Sequence, residues 1–119
     1  MTGSADLEVL TKKLRRFALE RDWDRFHSPK NLSMALVAEV AELIEHFQWL
    51  TEEQSAELSP GKLAEVEQEL ADILLYLIRI ADKLNVNLLR AAEEKIALNE
   101  KKYPVDKVRG SAKRYTEYE

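Results

Sequence analysis

The chain has 119 residues, enough for one domain, and carries 18 Lys and Arg against 22 Asp and Glu, a net charge of −4. That balance gives no general attraction to nucleic acid, and no apolar run approaches the roughly 20 residues of a membrane span, so neither is an expected partner. The absence of cysteine excludes a disulfide framework, a zinc ribbon and a thiol nucleophile, and the polar start from Met1 to Asp6 lacks a signal peptide, which makes the cytoplasm the expected location.

Glycine and proline number three each, while Ala, Leu, Glu, Lys and Arg abound, which is a helical composition. Ser4 can cap a first helix, in which Leu7, Leu10, Leu14 and Phe17 recur at helical spacing. Residues 22–29 break that period and read as a loop carrying Trp23, Phe26 and His27. Ser28-Pro29 is an N-cap and N1 pair for a second helix, starting between Ser28 and Ser33 and running to Trp49 or Leu50. A polar connector at 51–59, with room for one helical turn, leads to a second such pair, Ser59-Pro60. The third helix then continues to about Leu84, with Asn85 as a left-handed stop. Asn87 caps a fourth helix reaching about Lys102, Tyr103-Pro104 ends it, and the remainder reads as irregular.

Four helices on short loops predict an all-α, four-helix-bundle-like protomer, a single domain over 1–119 with an irregular basic tail at 104–119. The third helix is apolar nearly all round at 70–78. A small bundle cannot bury every face of one helix, so a second subunit is expected to cover the rest, in a homodimer or homotetramer.

On a wheel of about 100° per residue, Leu32, Leu36, Glu39, Glu42, Leu43 and His46 share one stripe of the second helix, and Val66, Glu69, Asp72, Ile73, Tyr76 and Ile80 share one of the third. Each helix thus sets a carboxylate pair at i, i+3 into a partly apolar stripe. Ionised carboxylates gathered away from water are unfavourable unless paired or metal-bound. Oxygen-only ligands select hard cations, and a site shared with water and phosphates suits Mg²⁺. Any single Glu-x-x-Glu is more often an ordinary solvated pair; two such pairs interrupting apolar stripes favour the metal. A di-iron bundle would want Glu-x-x-His on two helices, whereas His46 follows Glu42 by four residues.

Glu39-x-x-Glu42 and, after 26 intervening residues, Glu69-x-x-Asp72 resemble the signature of the MazG-like, all-α nucleoside triphosphate pyrophosphohydrolases. The similarity is greatest to their single-domain dCTP pyrophosphatase branch. It runs through Arg21-Asp22-Trp23, His27-x-Pro29-x-Asn31-Leu32, Phe47-Gln48-Trp49, Tyr76-Leu77, Lys95-x-x-x-Asn99 and Tyr103-Pro104 to Lys113-Arg114-Tyr115-Thr116, nearly the whole chain. Many MazG proteins carry a further glutamate where this chain has Ala38, a departure that bears on subfamily. The resemblance implies hydrolysis of a triphosphate to the monophosphate and pyrophosphate, with dCTP or a modified pyrimidine deoxynucleotide as substrate and Mg²⁺ held by Glu39, Glu42, Glu69 and Asp72. Glu45 is a further candidate for proton transfer, or simply a solvated glutamate.

Trp23 and Trp49 can stack on a base, against the commoner fate of packing in a core. His27 either contacts the nucleotide or anchors its loop, and the Tyr76 hydroxyl either reaches the acids or meets an adjacent helix. Lys95 and Asn99 share a face of the fourth helix. By the resemblance they and Lys102 meet the nucleotide, with a solvated face as the alternative for the lysines; Lys101 is read as solvated. In the tail, Lys107, Arg109, Lys113 and Arg114 face only Asp106, giving either a phosphate clamp or a basic end. A non-enzymatic helical dimerisation module on the same scaffold is the alternative function; the intact acidic quartet argues against it.

Overall fold

The computed structural model describes residues 6–111, which are all-helical, with no strand among them. The elements are α1 (Leu7–Glu20), a 3-10 turn (Asp24–Phe26), α2 (Pro29–Glu45), α3 (Glu52–Ala56), α4 (Pro60–Lys83), α5 (Leu88–Lys102) and α6 (Val105–Val108). They fall into two compact units divided between Val86 and Asn87.

In the first unit α4 is the organising element, packed against both α2 and α1. At 24 residues it is about 36 Å long. Its buried side chains are Val66, Ile78, Arg79 and Ala81; α2 contributes Leu32 and α1 contributes Ala18. The helix starts follow the chemistry of their caps. Ser28, Thr51 and Ser59 each turn an oxygen onto a free backbone N–H three residues on. Pro at the first position of α2 and α4 gives up no intrahelical bond.

The C-terminal ends of α1 and α4 close in the same way. The Trp23 amide donates to the Ala18 carbonyl at 2.8 Å and that of Asp22 to Leu19 at 3.1 Å; Val86 to Ala81 and Asn85 to Asp82 repeat the pattern at 2.8 and 3.1 Å. This is the Schellman closure, which requires a left-handed residue. Asp22 (φ 55°) and Asn85 (φ 57°) supply it. The second unit holds α5, capped by the Asn87 side chain on the Arg90 amide, and α6.

Several sequence expectations shift here. The cap of α1 is Asp6, whose carboxylate accepts from the Val9 amide at 2.9 Å; Ser4 lies outside the described residues. The second helix ends at Glu45, not near Trp49, because the bonding tightens there: His46 donates to Leu43 and Phe47 to Ile44, three residues back. The 51–59 connector holds α3, closed by a reciprocal Thr51–Gln54 capping box. The start of the tail is not irregular either, since Val105–Val108 makes a helical turn after Pro104.

Candidate metal centre

The packing of α2 on α4 brings three of the four acids together. Glu39, Glu69 and Asp72 each offer a carboxylate oxygen, and these oxygens lie within 4.8 Å of one another. All three are half-buried. Glu42 stands outside this triad, more exposed, but it shares a hydrogen bond with Glu39. That bond, burial, and the charges of Glu42, Asp72 and Glu69 together push the Glu39 carboxyl up to about 7. Glu39 Oε2 is buried and has no hydrogen-bond partner. A buried acceptor left unpaired beside two further carboxylates is what a cation would satisfy, so the donor set fits a hard metal ion. Tyr76, one turn beyond Asp72, is half-buried, and burial and the charges of Glu39 and Asp72 raise its hydroxyl. Glu45 is exposed at the end of α2.

His46 turns to the Lys62 ammonium, 3.4 Å from its Nδ1. The other candidates divide by unit. Trp23 lies at the head of the 3-10 turn, half exposed, its ring edge-on to Phe17 at 5.8 Å. Trp49, in the turn after α2, is 86% exposed. His27 closes the 3-10 turn, and its Nδ1 lies 3.3 and 3.4 Å from Arg79 Nη2 and Nε. Lys95, Asn99 and Lys102 sit on α5, exposed, in the second unit. Lys107 and Arg109 lie in and just after α6, whereas Lys113 and Arg114 lie outside the described residues.

Sequence reasoning missed Arg79. It is only 5% exposed and anchors a charge cluster two turns beyond Asp72 on α4. Its guanidinium reaches Asp24 at 2.7 Å and Asp82 at 3.3 Å. Lys83 also binds Asp24 (2.8 Å), and Arg15 of α1 grips Asp82 through two bonds of 2.6 and 2.8 Å. These cations hold both aspartates below the usual carboxylate range, Lys83 first for Asp24 and Arg15 first for Asp82. The signal was one arginine between Ile78 and Ile80 in an otherwise apolar run. The cluster borders an open cleft of ≈ 330 Å³, which none of the four acids lines.

The MazG-like family matches residues 34–118. The protein named dCTP pyrophosphatase 1 in Bos taurus is 44% identical over 113 residues, which cover 93% of this chain and 67% of that protein. Its Homo sapiens counterpart is 42% identical, covering 93% and 66%. This chain spans about two thirds of the length of these relatives. Among solved structures, a pyrophosphatase from Archaeoglobus fulgidus superposes with a TM-score of 0.78 at 40% identity, over 82% of this chain and 92% of that one. An acidic cluster on paired helices and these matches lead to one conclusion: the chain belongs to the MazG-like family.

Proposed function

We propose that this chain hydrolyses a nucleoside triphosphate between its α- and β-phosphorus, releasing the monophosphate and pyrophosphate, with Mg²⁺ held by Glu39, Glu42, Glu69 and Asp72. The observation that carries the reading is the convergence of Glu39, Glu69 and Asp72 within 4.8 Å around an unpaired, buried Glu39 oxygen. The names of the relatives support dCTP, or a modified pyrimidine deoxynucleotide, as substrate and nucleotide-pool cleansing as the role. When bound, Mg²⁺ supplies the charge that gathers phosphate oxygens and makes a water more acidic.

The chain's own residues orient the rest. The acids would hold the Mg²⁺ that binds the phosphates; water attacks the α-phosphorus in line and gives its proton to a carboxylate of the site, the bond to the bridging oxygen breaks, and pyrophosphate leaves. Trp23 and Trp49 take the faces of the base, His27 offers the nucleotide a hydrogen bond, and the Tyr76 hydroxyl stands with the acids. Lys95, Asn99 and Lys102 of α5 are assigned to sugar and phosphates on the family resemblance. The match across both compact units supports one pyrophosphohydrolase domain over 1–119. A homodimer or homotetramer in the cytoplasm is the proposed working form, supported by the apolar side chains that α4 leaves uncovered. No described helix is long and apolar enough to cross a membrane.

The test is product analysis with purified protein, Mg²⁺ and a panel of canonical and modified triphosphates. The expected products from dCTP are dCMP and pyrophosphate, with EDTA abolishing both. A diphosphate and orthophosphate as first products would contradict the proposal.

A further inference from the structure

Asp24 and Asp82 do not depend on Arg79 for neutralisation. Lys83 already binds Asp24 at 2.8 Å, and Arg15 already binds Asp82 through two bonds. What Arg79 adds is its contact with His27, whose Nδ1 faces both Nε and Nη2 at 3.4 and 3.3 Å. A guanidinium has only donors and keeps its charge, so the nitrogen facing it must present a lone pair. A neutral imidazole with Nδ1 as acceptor carries its single proton on Nε2. Protonating Nδ1 would set an N–H against a buried cation. Burial and the Arg79 charge both oppose that, and together they lower the imidazole below its ordinary range although Asp24 pulls the other way.

The placement gives this proton a use. Arg79 lies seven residues after Asp72 on α4, two turns along the same face and about 10 Å up the helix. Its hold on Asp24 and His27 therefore fixes the whole turn from Asp22 to His27, Trp23 included, relative to the acids. The Asn31 amide, donating to the Phe26 carbonyl at 3.0 Å, ties the same turn to α2.

We propose that Arg79, two helical turns from Asp72 on α4, is a positioning residue: it locks His27 as an Nε2–H donor, and that donor meets an acceptor on the base, a carbonyl oxygen of the pyrimidine class. This rests on the pyrophosphohydrolase reading. His27 is then a fixed donor, never a proton acceptor, and the turn discriminates by demanding an acceptor from its ligand.

The experiment combines imidazole ¹⁵N–¹H correlation spectra of the full chain near neutral pH with dCTP kinetics of wild type, Arg79→Met and Arg79→Lys; His27→Gln assigns the signal. Wild-type His27 should show one neutral tautomer with its proton on Nε2. Arg79→Met should release the ring to a mixture of tautomers and raise KM about tenfold, while kcat changes by less than about threefold. Arg79→Lys, which keeps a donor facing Nδ1, should recover part of both. If Arg79→Met does not fold, the wild-type tautomer still decides. A proton on Nδ1 or a charged ring in an active wild type would overturn the proposal, as would Arg79→Met with KM unchanged and kcat collapsed. A wild type with the Nε2 proton in place that turns over no triphosphate would instead overturn the pyrophosphohydrolase reading.

Discussion

Glu39 concentrates the electrostatics of the site in one side chain. Its hydrogen bond with Glu42, its burial and the charges of Glu42, Asp72 and Glu69 push its carboxyl up to about 7, and its buried Oε2 has no partner. Because the folded-state value lies above the ordinary one, the metal-free fold is favoured at low pH. That advantage is lost as pH rises from the usual carboxylate range through about 7. A cation must displace the Glu39 proton to use both oxygens. Mg²⁺ affinity should therefore strengthen as pH rises between about 6 and 8, with proton release on binding. Calorimetric titration in buffers of different ionisation enthalpy reads both quantities. An affinity flat across that range with no proton released would remove Glu39 from the ligand set.

At the scale of elements, α4 holds the loop from Asp22 to His27 through Arg79 and Lys83, and Arg79 also binds Asp82, which joins α4 to Arg15 of α1. Asp82 lies below the ordinary carboxylate range, chiefly through Arg15, so its contribution is present above that range and disappears as pH falls through its depressed value. Asp82→Asn should cost about 1–3 kcal/mol near neutral pH, and the gap to wild type should narrow in acid. Equal melting temperatures at pH 7 would mean that the bidentate Arg15 contact contributes nothing. Helix starts at Ser28, Ser59 and Asn87 and the stop at Asn85 were legible in the sequence, because caps and left-handed residues are local chemistry. Asp22 was not recognised as the matching left-handed residue, since nothing in its type distinguishes it from the aspartates around it. The acids on α2 and α4 were legible from spacing, but only packing could tell that Glu42 stands outside the triad. Arg79 was hidden for the same reason, its partners lying 52 and 55 residues away in sequence.

For the whole molecule, the apolar side chains buried among the described residues are few, and much of the apolar surface is left over. Leu70, Leu74 and Leu77 of α4 lie on one face at 51%, 39% and 39% exposure, and Val37 and Ile44 of α2 are exposed as well. The native species is therefore expected to be at least a dimer in sedimentation at micromolar concentration. Leu74→Glu should dissociate or unfold it; a stable, active wild-type monomer would contradict this. Global stability also reports on the acids, because gathering carboxylates without a cation works against folding. The most direct test is thermal unfolding of wild type, Glu69→Gln and Asp72→Asn, each in EDTA and in Mg²⁺, with turnover measured alongside. A metal site predicts that the amide variants in EDTA are at least as stable as wild type, that Mg²⁺ raises the melting temperature of wild type much more than theirs, and that their turnover collapses. Amide variants that melt lower than wild type in EDTA yet keep near-normal turnover would contradict it.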